Sequence, residues 1–289
     1  MLEADSAGAR TASWLYCWDK AGNLTSQDGT AAACPGSAAF TYNDASQLTA
    51  QTGSTIPWSY DKSGNETAGG RTAATARTNE TWTDHSQLSG ITQGGTNYDL
   101  IHAGSDNSER TKLSSTGFHQ TALGLASTTT NSVDTGFIRE PAGTLNTMTT
   151  GGKSSYYLTD ATGNVLGLVD DAGKRTHTYA YGSTGLPRTT PTEAVPQPHR
   201  YTGAYADPSG LYKMGARYYE SQLGRFTQPD PSGQETNPYL YTEGDPVNRT
   251  DPTACSPSET LWTLRQIWPL ASITSTRAIR KRSGEMRSG

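Results

Sequence analysis

The residues whose types could do chemistry are five histidines, three cysteines and the carboxylates of a mildly acidic chain. His85, His102, His119, His177 and His199 are scattered, without HExxH or other ligand spacing. The chain contains no GxSxG, Walker A loop, GxGxxG, CxxC or calcium-binding GGxGxD run. Metal, nucleotide and serine-hydrolase chemistry are therefore not expected, and no cofactor is implied. Cys17 and Cys34 flank one apparent hairpin; in an oxidising compartment they would form a disulfide, and two unpaired buried thiols are the alternative. Cys255 stands alone near the C-terminal end. Taken alone, Asp230-Pro231, Asp245-Pro246 and Asp251-Pro252 read as turn initiators.

Composition limits the elements that position these residues. Hydrophobic residues make up 33% of the 289, with 31 Gly, 15 Pro and 15 Tyr against 4 Phe and 4 Met, which argues against helix bundles and doubly wound α/β folds. Thr, Ser, Gly and Tyr favour strands and turns. A net charge of -4 gives no electrostatic reason to expect nucleic acid as a partner of the body of the chain. The segment MLEADSAGARTASW lacks the basic and apolar regions of a secretory signal, and no stretch reaches the roughly 18 apolar residues of a membrane span. No segment is expected to export or anchor the chain by itself, so expressed alone it would remain in the cytoplasm.

An internal repeat organises the first half. Tyr16-Cys17-Trp18-Asp19-Lys20-Ala21-Gly22-Asn23, Phe40-Thr41-Tyr42-Asn43-Asp44 and Trp58-Ser59-Tyr60-Asp61-Lys62-Ser63-Gly64-Asn65 share one plan, which Trp82-Thr83-Asp84 and Tyr98-Asp99 continue. The aromatic-x-aromatic pair puts two rings on one face of a strand, and Asp-x-x-Gly-Asn supplies a turn in which Gly accepts positive φ. Side by side, such hairpins are expected to align Tyr and Trp rings as cross-strand ladders. The Asn-x-Thr triplets at Asn23, Asn65, Asn79 and Asn248 match a glycosylation pattern and read as turn residues. Residues 100–155 look less regular, although Gly136 to Gly143 reads as strand then turn. Repeat character returns from Tyr156 to Gly182 as two hairpins, and Pro187, Pro191, Pro196 and Pro198 mark an extended linker.

From Arg200 the text is specific: Arg200-Tyr201-Thr202-Gly203, then Gly210-Leu211-Tyr212-Lys213-Met214-Gly215-Ala216-Arg217-Tyr218-Tyr219-Glu220, then Gly224-Arg225-Phe226-Thr227-Gln228-Pro229-Asp230-Pro231. Asn237-Pro238-Tyr239-Leu240-Tyr241, Asp245-Pro246 and Asp251-Pro252 follow in order. With the upstream Tyr-Asp units, the chain resembles YD-repeat, or rearrangement-hotspot (RHS), proteins and their repeat-associated core region. The resemblance covers nearly all of the chain to about Thr253. It implies an all-β fold in which YD hairpins spiral into a curved, one-sheet-thick shell, with the core region plugging one end and a C-terminal toxin inside. The implied divisions are 1–190 for the repeat sheet, 191–254 for the core region and 255–289 for a variable tail, short and either poorly structured or helical.

The resemblance also implies a self-processing chemistry. In the family the core region is an aspartyl-type autoprotease, so Asp230 and Asp251 would be the two carboxylates and Arg217 the charge that positions them, cutting once in cis near Cys255 and Ser256. Two carboxylates held close cannot both ionise, so one stays an acid while the other activates water. The chain departs from the family pattern at Glu220, where Asp is usual, and at Ala254 and Cys255, where Gly and Leu are usual. Ala254 resists the positive φ that Gly accepts, which would distort the bend presenting the bond to be cut. The 35 residues from Cys255 are too short for a typical toxin fold and read as a truncated toxin remnant. The implied role is a shell fragment of a longer secreted or cell-surface protein whose partner is its own C-terminal segment. A rival reading is a surface module binding carbohydrate by stacking on exposed Trp18, Trp58 and Trp82.

Overall fold

The structure is a computed structural model that describes residues 2–4, 10–13, 15–28, 33–104, 109–233, 235–251, 254 and 259–260. Among these the fold is all-β, with only three short 3-10 turns. Four hairpins come first: β1 (Leu2–Ala4) with β2 (Arg10–Ser13), β3 (Leu15–Trp18) with β4 (Leu24–Asp28), β5 (Phe40–Tyr42) with β6 (Leu48–Gln51), and β7 (Ser59–Tyr60) with β8 (Glu66–Ala68). A twelve-stranded antiparallel meander follows, each strand pairing with the next in sequence. It runs β9 (Arg77–Trp82), β10 (Leu88–Gln93), β11 (Thr96–His102), β12 (Arg110–Leu113), β13 (Thr116–Thr121), β14 (Gly124–Thr130), β15 (Val133–Arg139), β16 (Leu145–Thr150), β17 (Lys153–Thr159), β18 (Val165–Val169), β19 (Arg175–Thr178) and β20 (Thr192–Glu193). The core segment adds β21 (Tyr205–Ala206), β22 (Tyr212–Met214), β23 (Arg217–Glu220) and β24 (Arg225–Phe226) as a separate four-stranded sheet.

The repeated turn has one chemistry. Asp19 Oδ1 accepts the amides of Ala21 and Asn23 at 2.9 and 2.8 Å, and Asp61 Oδ1 does the same for Ser63 and Asn65. Asp160 and Asp170 repeat it, and Asn43 substitutes its amide oxygen. An Asp side chain thus braces a turn that backbone bonds such as Gly22 N to Asp19 O also close, and Gly22 and Gly64 carry φ of +78° and +87° inside it. In two turns the Asn that ends the motif reaches onward: Asn23 Nδ2 donates to Ser46 Oγ at 3.4 Å and Asn65 Nδ2 to Ser86 Oγ at 3.2 Å, so these two turns are tied to the ones that follow them.

Two expectations differ from what is seen. Residues 100–155, which look irregular in sequence, hold β11–β17, the most regular part of the sheet. Their strands are Thr-rich, so the inward face shows in sequence only as single apolar residues such as Phe118, Leu125, Phe137 and Met148, all buried. The opposite face leaves Ile138 56% exposed beside buried Phe137, as period-two alternation requires of a sheet covered on one side. Nor do the hairpin rings form ladders with one another among the described residues. Tyr60 packs edge-on against Tyr239 of the core segment, and Arg225 lies over the rings of Tyr42 and Tyr239 at 5.1 and 4.7 Å.

The core segment is what all the apolar clusters share. Leu211 and Tyr218 join the inner face of the sheet, Leu223 joins Leu24, Phe40, Leu48 and Trp58 of the hairpins, and Tyr201, Tyr212, Tyr219, Phe226 and Tyr241 form a ring cluster of their own. Polar side chains complete the attachment by bonding backbone in four successive turns: Asn237 Nδ2 to Ala21 O, Arg225 Nη2 to Ser46 O, Tyr239 Oη to Gly64 O and Gln228 Nε2 to Ser86 O, at 2.6–3.2 Å. Thr202 extends the pattern, its amide donating to Asn164 Oδ1 at 2.8 Å.

Candidate functional site

Arg217 opens β23, whose four residues are all buried because the strand pairs with β22 and β24 on its two sides. Its guanidinium lies 3.6 Å from the Phe226 ring centroid and is 1% exposed, so its polar contacts are made in a dry setting. Nη2 pairs with Asp251 Oδ2 at 3.2 Å, Nη1 donates to the Pro238 carbonyl at 3.1 Å, and Nε donates to the Ala254 carbonyl. Asp251 Oδ1 accepts the Ala254 amide at 2.8 Å. Arg217 and Asp251 therefore hold Ala254 from both sides, by its carbonyl and by its amide.

Ala254 adopts φ +52° and is fully buried. The left-handed bend that Gly usually provides is thus formed with Ala, at a cost of about 1 kcal/mol. Ala254 belongs to the aromatic cluster of Tyr201, Tyr219 and Tyr241, whose packing holds the bend in place.

Asp230 joins this neighbourhood through its backbone: its amide donates to the same Pro238 carbonyl at 2.8 Å that accepts from Arg217. Its carboxylate turns into its own loop, where Ser232 donates from backbone and hydroxyl, both at 2.8 Å. The Asp-Pro turn reading and membership of the Arg217 neighbourhood therefore hold together. Sequence reading missed Glu235. Partial burial, and then the Asp230 carboxylate, push its carboxyl above the usual range; Asp251 adds to this while Arg217 and Arg249 oppose it.

Asp251 also borders a cavity of about 630 Å³ between the β12–β15 wall and the core segment, which Phe118, Leu125, Arg139, His199 and Tyr205 help to line. Cys255 and Ser256 lie outside the described residues, as does the expected tail except for Glu259–Thr260, which pair antiparallel with Arg249–Thr250 as a two-residue strand and not as a helix. Cys17 and Cys34 are joined by a disulfide. Glu220 is not part of this site and pairs with Arg77 instead. Among the described residues no group of three or more His, Cys, Asp or Glu is placed to hold a metal, and no helix is long and apolar enough to cross a membrane. The stacking platform is corrected for two of its three rings: Trp58 is buried in the hairpin core, and Trp82 is partly buried with Nε1 donating to the Glu66 carbonyl at 2.6 Å.

No model of a protein family matches the chain. It is 29% identical over 259 residues to the tRNA3(Ser)-specific nuclease WapA of Bacillus spizizenii, covering 82% of this chain and 11% of WapA. It is 34% identical over 86 residues to toxin subunit YenC2 of Yersinia entomophaga, covering 29% of this chain and 9% of YenC2. A solved Photorhabdus luminescens Tc holotoxin pore with a TccC3 mutation superposes with a TM-score of 0.49 at 15% identity, over 87% of this chain and 17% of that one. The chain spans about a tenth of the length of the curated relatives it matches. These relatives are a tRNA nuclease and a toxin subunit, and the chain is similar to a short stretch of each.

Proposed function

We propose that this chain is a wall-and-plug segment of a toxin-delivery shell, with residues 1–190 as YD-repeat wall, 191–254 as the RHS-associated core region and 255–289 as the remnant of a carried toxin. The twelve-stranded meander with one apolar face buried supports the wall, and the contacts of the core segment with successive turns support the plug. Similarity to the nuclease WapA along 82% of the chain and to toxin subunit YenC2 along 29% of it supports the setting. The shell belongs to a longer secreted or surface protein, encloses its own C-terminal segment, and uses no cofactor.

Within the plug, Arg217, Asp230 and Asp251 make one cut in cis after Cys255, between it and Ser256. The observation that carries this is the grip of Arg217 and Asp251 on Ala254, immediately before the expected cut near Cys255 and Ser256. One carboxyl donates a proton to the leaving amide nitrogen while the other takes one from the attacking water. The products are a new carboxylate and a new amine. Arg217 aligns the backbone and balances the charge that develops. Intact-mass measurement of the full chain tests this: wild type separates into two pieces near Cys255, and Asp230→Asn and Asp251→Asn stay whole. An uncut wild type, indistinguishable from both variants, leaves a scaffold alone.

A further inference from the structure

Away from Asp251, wall and core segment meet at a second buried charge cluster. Arg77, at the start of β9, faces three glutamates: Glu66 from β8, Glu80 from its own strand and Glu220 from β23. Nη2 donates to Glu66, Nη1 to Glu220 and Nε to Glu80 Oε1 at 3.1 Å, and every one of these side chains is at most 6% exposed. Glu220 Oε1 also accepts the Gln222 amide at 2.9 Å, whereas Glu80 Oε2 is buried with no hydrogen-bond partner. Gly69 leaves the room: a β-carbon there would collide with the Glu66 carboxyl.

One guanidinium therefore faces three carboxyls. Arg71 acts on Glu220 from a half-buried position, with Nη1 committed to Gln27 and the Gln222 carbonyl. Arg225 acts on Glu66. Tyr60 and Tyr239 beside Glu66, and Tyr212 and Tyr219 beside Glu220, are phenols pushed upward by burial and add no charge. Three ionised carboxylates in so dry a setting would leave uncompensated negative charge, which proteins avoid by keeping a proton. Burial, and then the charge on Glu66, hold the Glu80 carboxyl well above its usual range, and burial raises Glu66 as well.

We propose that Arg77, Glu66, Glu80 and Glu220 form a proton-operated clasp between wall and plug: with one proton shared on the Glu66–Glu80 side, β23 is locked to β9, and loss of that proton releases it. The clasp does not depend on whether the chain cuts itself. The native state keeps a proton that an unfolded glutamate releases near pH 4.3, so the native state binds more protons than the unfolded chain above that pH. Stability from this group is complete below the unfolded value and is lost as pH rises through the raised folded value.

The test is performed on the full chain. In the infrared spectrum at neutral pH, a protonated-carboxyl stretch is expected in wild type and lost in Glu80→Gln. Amide protection in Arg217–Glu220 is expected to fall by up to about ten-fold per pH unit as the proton leaves, and to stay level in Glu80→Gln over the same range. If Glu80→Gln does not fold, Glu66→Gln serves in its place, and the wild-type spectrum and exchange profile remain decisive. A wild type without the carboxyl stretch, or β23 protection independent of pH, overturns the proposal.

Discussion

Arg110 of the wall and Asp207 of the core segment, 97 residues apart, form a buried ion pair in which the Arg110 Nη2 to Asp207 Oδ1 contact is 2.7 Å and Nη1 bonds the other carboxylate oxygen. The guanidinium also lies 4.4 Å from the Phe118 ring centroid, so an inward aromatic of β13 covers the pair. A two-armed bond of this kind fixes direction as well as distance.

Asp207→Ala strands the Arg110 charge in that dry setting and is expected to lower stability by about 3–5 kcal/mol. Arg110→Met with Asp207→Leu removes both charges and is expected to recover most of the loss. Urea midpoints of the three chains check this; equal losses in single and double variants would contradict it.

The turn motif carries a built-in comparison. Gly64 has φ +87°, and a β-carbon there would come within 2.8 Å of the Tyr239 hydroxyl; Gly173 has φ +75° with open space around it. Gly173→Ala is expected to cost about 1 kcal/mol through the backbone alone. Gly64→Ala is expected to cost more, and replacing Tyr239 with Phe should narrow the difference between them, as read from thermal midpoints.

Ala254→Gly removes the strain of a left-handed alanine and is expected to stabilise the chain by up to about 1 kcal/mol. In the proposed self-cutting reaction it also supplies the Gly of the RHS core pattern that the chain resembles, so the yield of cut chain should rise. Calorimetry and intact mass measure the two effects separately.

His199 sets the acid side of the pH profile. Its ring is buried against Phe137, with Nδ1 bonded to the Gly203 carbonyl, and burial followed by the charge of Arg139 lowers it to about 3. An unfolded histidine takes its proton near 6.5, so between there and about 3 the unfolded chain binds more protons. Stability is complete above about 6.5 and falls as pH drops, by on the order of 1 kcal/mol per pH unit. His199→Gln should flatten this acid limb in a series of urea titrations.

The sequence displays what is local and hides what is distant. Asp19, Gly22 and Asn23 announce their turn because its whole chemistry lies within five residues. Arg217, Asp230 and Asp251 were legible only through the ordered motif around them, since nothing in their spacing says that one guanidinium reaches Ala254. The Arg77 cluster and the Arg110–Asp207 pair join residues up to 143 positions apart, and no local pattern encodes such a partner. The meander across 100–155 was obscured because a sheet covered on one face needs few apolar residues, and Thr fills the rest.

Wall and core segment are expected to behave as one cooperative body, joined through the four successive turns, Arg110–Asp207 and the Arg77 cluster. Native-state hydrogen exchange on the full chain measures it directly. The amides of Asn23, Asn65 and Gln87 in the turns and of Arg217–Glu220 in β23 are predicted to open with one common free energy; turns that open freely while β23 stays protected would contradict the account.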